Sequence, residues 1–169
     1  KIRHEDGGPA FYSQERIGKN EKPFKMWKFR SMVVNADQMI DQLEDQNEIE
    51  GAMFKIKDDP RITKIGHTIR KYSLDELPQL WNVLIGDMSL VGPRPPLPSE
   101  VEEYTDYDKQ RLLVMPGCTG LWQVTKRNEA DFDEMVWLDI VYINHSGLWE
   151  DLKLIIKTIG VVIHPNGAY

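Results

Sequence analysis

Cysteine is almost absent from this chain. Cys118 is the only one in 169 residues, so no intrachain disulfide can form and no cysteine-based metal site can be built. Long apolar runs are missing too: no stretch approaches the roughly 20 residues needed to cross a bilayer, and no signal peptide is visible. Positive charge is in deficit, with 21 Lys and Arg against 27 Asp and Glu. The resulting net charge of −6 argues against a nucleic-acid binder, which carries a basic stripe. Histidine is sparse, and His4, His67, His145 and His164 share no metal-ligand spacing.

What is present is uneven. Residues 22–30, KPFKMWKFR, are basic and aromatic, whereas 37–50 and 99–108 are acidic. An acidic protein with local basic patches suits a small anionic ligand better than a polyanion surface. The length is that of one domain able to bury a real core. The opening residues, from Lys1 through the loop-like HEDGGP, read as part of a longer protein, which leaves an upstream membrane segment open.

The patterning predicts an α+β fold, a mostly helical single domain over 1–169 with a small antiparallel β-hairpin near the N-terminus. Residues 9–17 and 23–32 alternate as strands around a turn at Gly18, Lys19 and Asn20. Period two places Lys28 and Arg30 on one strand face, either as a solvated edge or as a pair of projecting cations. Helices are predicted over 35–48, with Met39, Ile40 and Leu43 inward, around Ile62, Ile65 and Ile69, over 99–113, over 131–143 and over 148–163. The last has a wide apolar face of Leu152, Ile155, Ile156, Ile159, Val162 and Ile163, suited to core packing or to a membrane interface. MPGCTGLWQV (115–124) reads as a Gly-rich turn entering a short strand, with Cys118 a small buried hydrophobe.

Chemistry concentrates around SLDELPQLWNVL (73–84). Leu77, Leu80, Trp81 and Leu84 recur at i, i+3, i+4, i+7, the stripe of a short helix closed by Gly86. With Asp75 as N-cap, Pro78 falls at N3, where its missing N–H costs nothing. That placement sets Asp75 and Glu76 at the positive end of a helix, a sufficient structural reason for two acids. Arg70 precedes them and Arg94 is held between Pro93 and Pro95. Two carboxylates among arginines also suit phosphoryl transfer: arginine grips phosphate in a fork, a divalent ion bridges acid to phosphate, and a carboxylate can attack phosphorus.

FKMWKFRSM, TKIGHTIRKYSLDELPQLWNVLIGDMSLVGPRP, PGCTGLWQV and WLDIVYI, in that order, resemble the bacterial sugar transferases. These are monotopic polyprenyl-phosphate phosphoglycosyl transferases that initiate capsule, exopolysaccharide and O-antigen synthesis. The resemblance implies transfer of a hexose 1-phosphate, glucose or galactose first, from a UDP-sugar to undecaprenyl phosphate with release of UMP. It assigns Asp75 as nucleophile of a covalent phosphosugar intermediate and Glu76, beside it, to Mg²⁺. Arg70 and Arg94 are implied to bind the diphosphate or lipid phosphate. Lys28 and Arg30 match KFRSM, Asp139 matches the acid of LDxxY as a second polar partner, and Arg127 is a further substrate-binding candidate. Met115 stands where the family often has arginine, which weakens that loop's claim. The implied setting is the cytoplasmic face of the bacterial membrane, with the family's re-entrant helix upstream and self-association left open. An Asp75-dependent phosphohydrolase and a non-catalytic nucleotide-sugar-binding module are the competing readings.

Overall fold

The computed structural model describes residues 1–39, 43, 56, 59–126 and 130–163. Strand β1 (Phe11–Ile17) pairs antiparallel with β2 (Pro23–Phe29), from Phe11↔Phe29 to Ile17↔Pro23. The hairpin closes where sequence predicts it, with Gly18 N–H donating to Lys22 O (2.9 Å) and Asn20 and Glu21 taking positive φ. Period two buries Met26 (1% exposed), while Phe11 and Phe29 stack across the opposite face, ring centroids 5.2 Å apart.

Short helices clasp the hairpin. Helix α1 (Ile2–Asp6) reaches α2 (Lys64–Lys71) through Glu5, whose carboxylate accepts from Lys64 N–H (2.6 Å) and Ile65 N–H (3.1 Å). Those are orphan donors of a helix N-terminus, and the side chain of the N-cap Thr63 satisfies another at Gly66. Helix α3 (Gln79–Ile85) follows the acid pair and ends at Gly86 in the left-handed conformation.

A second, parallel ladder joins β3 (Ser89–Val91) to β4 (Gly117–Thr119). Gly117 is required there, because a Cβ would collide with the Gly92 nitrogen. Between the strands lie the Pro93–Pro96 loop, helix α4 (Pro98–Glu102) and a 3₁₀ segment over Asp108–Leu113. The single helix expected over 99–113 is thus two pieces. Asp108 divides them: its carboxylate takes Thr105 N–H (2.8 Å), the local side-chain bond by which aspartate competes with helix.

After β4 comes α5 (Leu121–Thr125), a helix where a strand was expected to begin, then α6 (Phe132–His145) and α7 (Leu148–Ile163). The last two match their predicted bounds closely. Asp131 caps α6 by accepting from Glu134 N–H (2.8 Å). Val91, Tyr142 and Leu154 form the core of this half, and Tyr142 OH donates to Asp151 (2.8 Å), tying α6 to α7. Leu154 is fully buried, but Leu152, Ile156, Ile159 and Ile163 of the same helix are exposed. Core packing therefore explains only part of the apolar face of α7. Of the predicted helix over 35–48, a 3₁₀ turn at Ala36–Met39 and the buried Leu43 are seen; the rest lies outside the described residues.

Candidate active site

Asp75 does not cap α3. It sits inside a 3₁₀ turn, Leu74–Glu76, entered through Ser73 at φ 52, and the helix proper begins only at Gln79 with Pro78 at its N-cap position. A proline has no N–H to contribute to a helical ladder, so the chain completes a tight turn before the α-helix starts. The acids are presented by this turn rather than by a helix terminus.

Three elements converge on Glu76. Its Oε1 accepts from Lys28 Nζ (3.1 Å) on β2 and from Arg94 Nη1 (3.2 Å) in the proline loop. Burial alone would raise the Glu76 pKa; the two cations outweigh it and hold the carboxyl at about 2. Burial lowers the Lys28 pKa, with Glu76 opposing, whereas the half-buried Arg94 is held above its ordinary value by Glu76 against the cost of desolvation.

Asp75 is different. It is only 8% exposed, and no side-chain donor among the described residues hydrogen-bonds its carboxylate. Burial and the neighbouring Glu76 charge raise its pKa, against the pull of Lys28 and Arg70. One acid is neutralised by two cations; the other, beside them, takes no side-chain hydrogen bond and only a backbone N–H, its own. A carboxylate left without a side-chain partner next to fixed cations is what attack on a phosphoryl group needs: a nucleophile, and positive charge to accept the phosphate. Two adjacent carboxylates also fit Mg²⁺, which one or two protein acids hold while phosphates and water complete its octahedron. No group of three or more His, Cys, Asp or Glu converges among the described residues.

Not every predicted residue joins this cluster. Lys28, Asp75, Glu76 and Arg94 meet, and Arg70 acts on Asp75 through its charge. Arg30 is drawn elsewhere. Its guanidinium bonds Asp6 at 2.5 and 2.6 Å and also Pro9 O (2.7 Å) and Met32 O (3.0 Å), so it ties α1 to the hairpin rather than facing a substrate. Asp139 also departs from expectation: it is fully buried and bonds Arg111 Nη2 (2.5 Å). It approaches the cluster only through that arginine. Arg127 lies outside the described residues. Cys118 is half-buried and burial pushes its thiol up to about 11, in keeping with an unreactive side chain.

Sequence reasoning missed two residues, Arg16 and Arg111. Arg16 is buried behind Arg94, and burial together with Arg94's charge lowers its pKa to about 10. Period-two alternation gives Arg16 no mark that separates it from a surface arginine. Arg111, followed by Leu112, had only its apolar neighbours as a signal.

Outside the cluster the surface is apolar. Phe11, Trp27 and Phe29 from the hairpin and Leu77, Leu80, Trp81 and Leu84 from α3 line an open groove of about 500 Å³. The expected apolar stripe of α3 exists, but it faces outward, with Leu84 76% exposed. The buried residues of α3 are polar, Gln79 and Asn82. Asn82 accepts from Trp27 N–H (3.0 Å) and donates to Lys25 O (2.8 Å), replacing a missing strand partner at the edge of β2. No helix among the described residues is long and apolar enough to cross a membrane.

A family model described as bacterial sugar transferase matches residues 1–165. Galactosyl transferase CpsE of Streptococcus agalactiae serotype III is 55% identical over 164 residues, which cover 96% of this chain and 36% of that protein. Undecaprenyl-phosphate galactose phosphotransferase of Salmonella typhimurium is 49% identical, over 97% of this chain and 35% of that protein. UDP-N-acetylgalactosamine-undecaprenyl-phosphate N-acetylgalactosaminephosphotransferase of Aeromonas hydrophila is 38% identical, over 99% and 38% respectively. The chain spans little more than a third of the length of these relatives.

Proposed function

As the chain belongs to the bacterial sugar transferase family, we propose that it is the catalytic domain of a phosphoglycosyl transferase. The reaction moves a hexose 1-phosphate from a UDP-sugar to undecaprenyl phosphate, releasing UMP, as the first membrane step of exopolysaccharide or capsule synthesis. The observation that carries this reading is the inequality of the two adjacent acids, Asp75 without a side-chain hydrogen-bond partner among the described residues and Glu76 clamped by Lys28 and Arg94.

The chemistry follows from that inequality. A carboxylate oxygen of Asp75 attacks the phosphorus that bears the sugar; the new O–P bond forms as the bond to the bridging oxygen breaks, and UMP leaves with that electron pair. A phosphate oxygen of the lipid acceptor then attacks the same phosphorus and frees Asp75. Splitting the transfer in two lets one residue meet a soluble donor and a lipid acceptor in turn. Lys28 and Arg94, already paired to Glu76, and Arg70 near Asp75 supply charge to the diphosphate, without which one anion would repel the other. Mg²⁺ held by Asp75 and Glu76 would add Lewis-acid polarisation of the phosphate oxygens.

Galactose is the favoured hexose and glucose the next, since relatives at 49% and 55% identity carry galactose names. A lipid acceptor together with a soluble UDP-sugar donor would put the domain at the cytoplasmic face of the membrane, with the family's re-entrant helix upstream. The exposed apolar faces of α3 and α7 suit contact with that bilayer.

The test uses the full-length protein with sugar-labelled UDP-galactose, UDP-glucose and Mg²⁺. Label is expected on wild-type protein before lipid is added and on the lipid afterwards, and absent with Asp75→Asn. Equal lipid-linked product from wild type and Asp75→Asn would remove the nucleophile. Steady sugar phosphate release without lipid would identify a hydrolase instead.

A further inference from the structure

The loop that carries Arg94 is held in an unusual way. Pro93, Pro95 and Pro96 have no N–H, so carbonyl acceptance is the main way to anchor this backbone. All four carbonyls are taken, two of them by β1, one by β4 and one by the 3₁₀ segment. Gly117 N–H donates to Pro93 O (2.8 Å) and Ile17 N–H to Pro96 O (2.9 Å). Arg16 Nη1 donates to Pro95 O (3.1 Å), and Arg111 Nη2 donates to the carbonyl of Arg94 itself (3.3 Å).

Arg111 is 3% exposed, and its other contacts are interior. The same Nη2 bonds Asp139 Oδ2 (2.5 Å), and Nη1 bonds Tyr104 OH (2.9 Å). A pair built only for stability would use both prongs of the guanidinium on both carboxylate oxygens. Here Asp139 Oδ1 and Arg111 Nε have no partner among the described residues, and the nitrogen that meets Asp139 also meets the Arg94 carbonyl. Burying such a pair is no more stabilising than a well-packed apolar replacement. What an apolar replacement cannot do is hold a carbonyl in place.

We propose that Arg111, anchored by Asp139 and Tyr104, is a positioning residue that fixes the Arg94 backbone and thereby sets the Arg94 guanidinium against Glu76 and the substrate phosphate. The substrate half of this statement rests on the transferase reading above; the Arg94–Glu76 half stands on geometry alone. Asp139 then acts on the site from the interior, two contacts away from any substrate.

The experiment has two arms, in full-length protein in lipid nanodiscs. In the first, ¹⁵N-arginine spectra record the Arg94 guanidinium resonance, assigned by its loss in Arg94→Lys. Arg111→Lys keeps the charge opposite Asp139 but cannot form the same fork, and is expected to move the Arg94 resonance to the solvent-averaged position. The melting transition stays cooperative. Tyr104→Phe, which removes one hydroxyl, should shift the same resonance less, and it decides the matter if Arg111→Lys does not fold. In the second arm, Arg111→Lys raises the KM for UDP-galactose about 10-fold to 100-fold, the range for one hydrogen bond to a charged group, with a smaller change in kcat. In an Arg94→Ala background the same substitution changes KM by less than about twofold. An unmoved Arg94 resonance in the folded variants, or KM losses that multiply in the double variant, would overturn the proposal. A wild type that turns over neither UDP-hexose would sink the transferase reading alone, and the resonance arm would still judge Arg111.

Discussion

Glu76 and Asp139 stand on opposite sides of the proline loop, each an acid tied to an arginine, and burial pushes both toward the neutral form. They end far apart: Glu76 at about 2 and Asp139 at about 6. The difference lies in partners. Two cations converge on a single oxygen of Glu76, which is partly exposed, whereas the fully buried Asp139 has one, and its Oδ1 has no partner among the described residues. More donors and less depth together put Glu76 below its ordinary value and Asp139 above. The bonds of Arg94 run to both sides, its side chain to Glu76 and its carbonyl to Arg111.

The sharpest test concerns Asp75, the acid beside Glu76 that no side chain among the described residues hydrogen-bonds. Asp75→Asn is expected to reduce transfer by at least roughly 10³-fold, since no other described group offers a nucleophile there. In wild type the acid limb of the pH–rate profile should lie above the ordinary aspartate range, because Asp75 must lose its proton to attack and its pKa is raised. An acid limb at the ordinary value would erase the contrast with Glu76.

Next in size is Asp139→Asn. Asn is a neutral isostere of the protonated acid, so variant and wild type should be about equally stable below about pH 4. The variant should gain on the wild type as pH rises through about 6, measured by denaturant titration. Its pH signature separates it from Glu76. A raised folded pKa means that the native state holds the proton longer than the unfolded chain, so this contribution is full below about pH 4 and is lost as pH rises through about 6. Glu76 works in reverse. Its depressed pKa gives stability above its ordinary value of 4.5 that is lost as pH falls toward 2, up to about 3 kcal/mol. The wild-type advantage over Glu76→Gln should therefore grow from about pH 2 to 4.5, whereas Asp139→Asn should gain on the wild type between about pH 4 and 6. Parallel curves would show that donor count and depth do not separate the two acids.

The smallest stability effect is expected on the exposed stripe of α3. Leu84→Gln should change folding stability by no more than about 0.5 kcal/mol, as for a surface position. Binding of the full-length protein to vesicles of bacterial lipid should weaken measurably. A large loss of stability without change in vesicle binding would mean that the stripe is covered by protein.

Local pattern carried much of this molecule. Alternation placed the hairpin, helical periodicity placed α6 and α7, and the acid pair stood out with Arg70 and Arg94 because charged residue types are dense there, whereas Lys28 entered only through the family resemblance. Propensities and spacings are properties of a short stretch, and such features can be read one stretch at a time. The remainder was set by partners distant along the chain. Arg30 joined Asp6, 24 residues away, instead of the site; Asp139 joined Arg111, 28 residues away; and Arg16 reached Pro95 across 79. The stripe of Leu77, Leu80, Trp81 and Leu84 was correct as a period and silent as to direction. Periodicity says that a helix has two unlike faces. Which face turns inward is decided by what waits there, and beside α3 it was the unpaired edge of β2, a row of backbone N–H and C=O groups that only polar residues such as Asn82 can satisfy.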